Sequence, residues 1–173
     1  MALKFAQSGL KWLWLSVLVL GLDQWTKRLA TDSLEMYEKV PVTPFFNITL
    51  AHNTGAAFSF LSDAGGWQRW FFIVLAIGVS VVLIVWLARL AARETWNAIS
   101  LTLILGGAIG NVWDRIQFGY VVDFIQVYYE QWYWPAFNIA DSAICVGAVM
   151  LIIDSFRGQK DDQKDAAKDA KEK

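Results

Sequence analysis

The chain has 173 residues, room for one domain, and a formal net charge of −1. That balance supplies no basic field for nucleic acid. Hydrophobic residues make up 56% of the chain and ten residues are tryptophan, which points away from an ordinary soluble domain.

Four apolar runs carry the excess, at 12–22, 67–90, 96–113 and 139–153. A helix needs about 20 residues to cross a bilayer. The second and third runs approach or exceed that length. The first and fourth reach it only by taking in 23–27 and 138–141, so polar residues enter the membrane there.

Lys4 and Lys11 precede the first run, as in a secretory signal peptide. No small-x-small cleavage site follows, and the run reads as a retained anchor. On a helix, Ser16, Asp23 and Lys27 share one face, and Asp23 and Lys27 are i, i+4 neighbours that can pair. The pair is either a satisfied interfacial ion pair or a brace for a neighbouring site. Residues 31–66 form a long connection that Pro41 and Pro44 keep from being helical. Phe46, Ile48 and Leu50 alternate with Asn47, Thr49 and Ala51, which is strand periodicity. The Asn-Thr-Gly that follows is turn chemistry. It is either a plain hairpin turn or a loop that presents Asn53 and backbone amides to an extended peptide.

The run at 67–90 closes on Arg89 and Arg93. The run at 96–113 ends in Gly106-Gly107-Ala108-Ile109-Gly110-Asn111-Val112-Trp113-Asp114-Arg115. Gly106 and Gly110 make a G-x-x-x-G step suited to close helix approach. Gly107, Asn111 and Asp114 share a face. Arg115 reads as the only basic residue near the suspected site, bound to loop carbonyls or a carboxylate. Asp114 reads as a carboxylate outside the pair, so that Asp114→Asn should retain more activity than the same change at Asp123 or Asp141. Val121, Asp123 and Ile125 alternate with Val122, Phe124 and Gln126, which places Asp123 on a short strand. The aromatics at 128–134 suit the headgroup layer. Pro135 and Asn138 open the fourth helix, where Asn138, Asp141 and Cys145 share a face. Cys145 reads as packing, and the lone His52 has too few partners for a zinc site. From Gly158 the chain alternates Lys and Asp and reads as a disordered charged tail, so the domain is 1–157 and the tail 158–173.

With four spans, both termini and the Arg89–Arg93 turn share one side, which holds ten Lys and Arg against five on the other. The positive-inside rule puts that side in the cytosol. Asp23, Asn53, Asn111, Asp123, Asn138 and Asp141 then converge on the outer end of the bundle. A carboxylate at such a place costs several kcal/mol, so Asp123 and Asp141 mark a functional site. A helix cap or a pairing with Arg is the alternative for either one alone. Together they suit chemistry with a shared proton. A proton-coupled transporter or channel subunit would use such carboxylates too, near the midplane and often with internal repeats. No repeat is present, and the Gly-x-Gly-Asp signature of presenilin-like proteases is absent.

Five segments occur in order: Leu-Asp-Gln-Trp-Thr-Lys at 22–27, Asn-Thr-Gly-Ala-Ala-Phe at 53–58, the 106–115 stretch, Val-Val-Asp-Phe at 121–124 and Phe-Asn-Ile-Ala-Asp at 137–141. Together they resemble the bacterial lipoprotein signal peptidases, the signal peptidase II family, over about residues 21–154. The resemblance implies a membrane aspartyl endopeptidase, with four transmembrane helices and a small extracytoplasmic β-cradle. It implies cleavage of prolipoproteins just before a diacylglyceryl-modified cysteine. The catalytic pair maps onto Asp123 and Asp141. Asp23, Lys27, Asn53, Gly55, Asn111, Arg115, Asn138 and Ala140 match positions that line or support the site. No metal or cofactor is implied. The implied partners are diacylglyceryl-prolipoproteins, membrane lipid and cyclic peptide inhibitors such as globomycin, and the implied form is a monomer in the bacterial inner membrane.

Overall fold

The computed structural model describes residues 5–55 and 65–169, with side chains through 156 apart from Ala6. The Ala-Ala-Phe end of the 53–58 motif lies outside the described residues, as do residues 170–173.

Helix α1 spans Leu13–Ser33 and is entered through two short 3-10 turns, Phe5–Gln7 and Gly9–Trp12. Helix α2 spans Gln68–Arg89, α3 spans Thr95–Gln117 and α4 spans Ile139–Asp169. All four expected helices are present. Gly119, at φ 87°, turns the chain out of α3. Helix α4 runs past Gly158, where the alternating Lys and Asp suggested a tail without structure. No proline stops it there, and Ala, Lys and Gln have high helix propensity.

Helix α3 is the central element. Leu101, Leu105, Ser100 and Thr102 are fully or almost fully buried, and α1, α2 and α4 all pack on it. Helix α2 buries Ile73, Leu83 and Leu87 but exposes Trp70, Val74, Ile77, Val81 and Val82 on its other faces. An apolar surface of that extent belongs in lipid. The α2 helix and the segment Ile139–Phe156 of α4 are each long and apolar enough to cross a membrane. In lipid no hydrophobic drive holds helices together, so close packing of small residues must. Gly106 faces α1, where a Cβ would lie 2.8 Å from the Ser16 carbonyl oxygen. Gly147 of α4 faces α3, where a Cβ would lie 2.5 Å from the Ser100 carbonyl oxygen. The Ser16 hydroxyl donates to the Thr102 carbonyl at 2.7 Å, which locks α1 to α3 at the same level.

Strands β1 (Lys39–Thr43), β2 (Phe46–Asn53), β3 (Val121–Tyr129) and β4 (Trp132–Tyr133) form one antiparallel sheet in that order. The protein is therefore mostly helical with a small sheet, and the sheet is larger than the periodicity of β2 and β3 alone suggests. Ala51 stands opposite Asp123 and Asn53 opposite Val121. Opposed residues share a face, so Asn53 and Asp123 lie on the same side of the sheet. The far end of the sheet carries exposed Phe45, Tyr129, Trp132, Tyr133 and Trp134.

Cys145 is exposed, not packed inside as expected. Ala140, Ala143 and Gly147 are the residues of α4 turned inward onto the bundle, which leaves Cys145 on the outward side.

The glycine contacts make a direct prediction. Gly106→Ala pushes a methyl against the α1 backbone and should cost about 1–3 kcal/mol, read as a melting temperature several degrees lower in detergent. Gly78→Ala meets nothing within 4 Å and should leave the melting temperature level or slightly raised. Equal melting of the two variants would refute this packing role.

Candidate active site

The site lies where α1, α3 and α4 meet β2 and β3. Helix α4 begins with a reciprocal cap. The Asp141 backbone N–H donates to Asn138 Oδ1 at 2.8 Å, and the Asn138 backbone N–H donates to Asp141 Oδ2 at 3.3 Å. This is capping-box logic, with Asn and Asp in place of Ser and Glu. Asp141 is thereby set in the first turn of α4.

Asn138 also reaches the second carboxylate. Its Nδ2 donates to Asp123 Oδ1 at 2.7 Å and approaches the Val122 carbonyl at 3.2 Å. One fully buried side chain therefore touches both aspartates. Asp123 Oδ2 accepts from Asn53 Nδ2 at 3.1 Å, and Asn53 Oδ1 accepts from the Gly55 N–H at 3.0 Å. Asp141 Oδ1 accepts from Asn111 Nδ2 at 2.7 Å. Asp123 is only 2% exposed. Burial first, and the Asp141 charge second, push its carboxyl up to about 7, against the Asn53 and Asn138 hydrogen bonds that favour the ionised form.

Below the pair sits an ion cluster. Lys27 Nζ lies 2.8 Å from Asp23 Oδ2, 2.9 Å from Asp114 Oδ2 and 3.1 Å from Asn111 Oδ1. Asp23 Oδ1 accepts the Ala140 backbone N–H at 2.9 Å, which ties α1 to the first turn of α4. Ala140 is fully buried and packs on glycine, since a Cβ on Gly107 would collide with its carbonyl oxygen. Asp23 and Lys27 thus tie α1 to the first turn of α4 and to Asn111. Arg115 Nη2 donates to the Gly55 carbonyl at 2.6 Å and its guanidinium lies over the Phe72 ring. The expected contact to a loop carbonyl is present.

All ten residues singled out in the sequence meet in this region. One sequence expectation is corrected here, and Asp114 proves more closely tied to the site than its sequence showed. Arg115 is not the only cation near the pair, because Lys27 stands one amide away from Asp141. The separation of 27 from 111 in the chain hides this. Asp114 is not a bystander either. It is almost fully buried, pairs with Lys27, accepts the Val122 N–H at 3.1 Å and accepts Gln24 Nε2 at 2.8 Å. It holds the backbone of the strand that carries Asp123 while touching neither carboxylate of the pair. Its place on the Gly107–Asn111 face was the available signal. Gln24 was not singled out, and only its position beside Asp23 marked it.

Two carboxylates, Asp123 buried and Asp141 half-buried, both tied to Asn138 at the end of a lipid-facing bundle, define a membrane peptidase of the aspartic type. A family model described as signal peptidase (SPase) II matches residues 15–157, and the chain belongs to that family. It is 60% identical over 159 residues to a lipoprotein signal peptidase of Pseudomonas fluorescens, covering 91% of this chain and 92% of that one. It is 50% identical over 164 residues to a lipoprotein signal peptidase of Alteromonas mediterranea, covering 94% and 90%. A bacterial membrane enzyme solved by the in meso method at 2.3 Å resolution superposes with a TM-score of 0.79 at 30% identity, over 87% of this chain and 90% of that one. A second, at 1.9 Å resolution, gives 0.71 at 32% identity, over 83% and 90%. The transporter reading falls away.

The raised Asp123 carboxyl links stability to pH. A free aspartate titrates near about 3.9. Between there and about 7 the folded state keeps a proton that the unfolded chain has released. Stability from this group is therefore greatest at acid pH and falls as pH rises through that window. Asp123→Asn removes the effect. The melting temperature of the native protein should fall more between pH 5 and pH 8 than that of the variant, and parallel curves would contradict the assignment.

Proposed function

We propose that the chain removes signal peptides from prolipoproteins by aspartic-type hydrolysis, with Asp123 and Asp141 as the catalytic pair. The observation that carries this is that Asn138 hydrogen-bonds both carboxylates, Asp123 through its side-chain amide and Asp141 through its backbone N–H. Two such groups held together cannot both ionise easily, and the pair keeps one proton. The ionised member takes a proton from water, and that water attacks the scissile carbonyl. The protonated member polarises the carbonyl and then supplies its proton as the tetrahedral intermediate collapses. Asn53, Asn111 and Asn138 hold the two carboxylates, and Arg115 holds the Gly55 carbonyl beside them. Asp23 and Lys27 set the start of α4, and Ala140 gives the close fit to α3.

The substrate on this reading is a prolipoprotein with a diacylglyceryl cysteine, cut just before that residue. Each buried acyl CH₂ contributes about 0.8 kcal/mol, so the lipid dominates binding and fixes the depth of the peptide bond. Cyclic peptides of the globomycin type would occupy the same site, and the protein would act as a monomer without a metal or cofactor. The purified protein in detergent tests this. A lipidated prolipoprotein should be cleaved, and the unlipidated precursor should be cleaved very poorly. Asp123→Asn and Asp141→Asn should each lower the rate by roughly a thousandfold or more, with the double variant little worse than either single one. A monodisperse Asp141→Asn protein with a near-native rate would remove the dyad. Equal turnover of the two precursors would remove the role of the lipid.

The same reading makes the chain a four-span protein of the bacterial inner membrane, with both termini cytosolic and the site at the outer face. The excess of Lys and Arg near the termini and the 89–93 turn supports it. Reporter fusions at Thr43 and Gly158 should show Thr43 outside and Gly158 inside, and an outward Gly158 would reverse the orientation.

A further inference from the structure

We propose that Lys27 is a positioning residue that acts through Asn111 to make Asp141 the ionised member of the pair, leaving the shared proton on Asp123. This rests on the dyad reading above and assigns its two roles.

The carboxylates differ in what holds their donors. A carboxamide can present either its oxygen or its nitrogen, so something must fix which way it faces. At Asp123 both side-chain donors are amides fixed by neutral backbone groups. Asn53 Oδ1 is held by the Gly55 N–H, and Asn138 Oδ1 by the Asp141 N–H. At Asp141 the donor is Asn111, whose Oδ1 takes Lys27 Nζ at 3.1 Å and Asn138 Nδ2 at 3.3 Å. With an ammonium at its oxygen, the Asn111 amide can only turn Nδ2 toward Asp141. The ammonium charge also polarises that N–H and strengthens its bond to an anion. The other Asp141 oxygen accepts the Asn138 backbone N–H just before α4, and Asp141 lies in the first turn, at the positive end of the helix. Both features favour charge on Asp141; the Lys27 charge also reaches Asp123, but Asn111 donates to Asp141 alone of the two.

The remaining charges do not reverse the bias. Asp23 of α1 and Asp114 of α3 both bind Lys27 directly, and each has a second donor in Ala140 N–H or Val122 N–H. Arg115 of α3 attracts both aspartates, Asp141 the more, and so does not oppose the bias. His52 of β2 stacks on Tyr120, and burial lowers its affinity for a proton. The buried Lys27, 3% exposed, is otherwise hard to explain. Two carboxylates would suffice to pair it, yet it spends a third donor on an amide that touches the pair.

On this assignment Asp141 is the general base toward water and Asp123 the acid toward the carbonyl. The test is the pH dependence of kcat on a lipidated prolipoprotein, measured with the full-length protein. Lys27→Gln keeps a donor for Asn111 but loses the charge. Its acidic limb should move up by about one pH unit, and kcat at neutral pH should fall about ten- to a hundredfold with KM within about twofold. Lys27→Arg should restore the position of the limb. Should Lys27→Gln not fold, Lys27→Gln with Asp114→Asn removes one cation and one carboxylate together, and its limb should show the same shift. A folded variant of either kind with an unmoved acidic limb would overturn the proposal. Loss of cleavage in Asp141→Asn alongside that result would leave the dyad standing. Retained cleavage in Asp141→Asn would sink the dyad itself.

Discussion

The structure depends on a buried ammonium. Lys27 sits in the interior of the bundle with Asp23 on its own helix, Asp114 on α3 and the Asn111 amide beside them. Buried charges are tolerated only when paired and fully hydrogen-bonded. Each partner meets that demand by binding something further. Asp23 takes the first turn of α4, Asp114 takes the backbone of β3, and Asn111 takes Asp141. The need to satisfy one cation thus fixes three elements relative to α1. These are the elements that bring Asp141 and Asp123 together. The ion cluster is the frame of the site rather than an ornament beside it.

Small residues make the frame affordable in space. Gly107 and Gly110 let α4 and the Asp23 carboxylate lie against the α3 backbone, and a Cβ on Gly110 would stand 2.7 Å from Asp23 Oδ2. Polar contacts of this length need backbones that approach closely. The glycines and the charges are therefore parts of one solution. Away from this end, α3 meets its neighbours through Leu101 and Leu105, and α2 turns most of its surface outward.

Much of this was legible in the sequence because it has a period. The four helices follow from long apolar runs, and β2 and β3 from strict alternation. The convergence of Asp23, Asn53, Asn111, Asp123, Asn138 and Asp141 follows from which end of each run is polar. What was not legible is contact between segments far apart in the chain. No periodicity shows that Lys27 touches Asn111, or that Asp114 takes the Val122 N–H. Strands β1 and β4 also escaped. The exposed residues of β1 and the two-residue length of β4 leave no pattern to read, since their partners define them. Cys145 was misplaced because three residues sharing a face does not say where that face stops. The inward stripe of α4 runs through Ala140, Ala143 and Gly147 instead.

Asn138 caps α4 at the Asp141 backbone N–H and holds the Asp123 carboxylate with the same carboxamide. Aspartate there could still cap the helix but would place a third negative charge between the pair. Serine or threonine could cap it but would not span the gap to Asp123. Glutamine could span but would lose the cap geometry. Each replacement forfeits either the helix start or the link between the acids. A position bound by two unrelated demands leaves evolution little room to manoeuvre. A compound that draws its affinity from Asn138 and its immediate partners would meet a target with few viable escape substitutions.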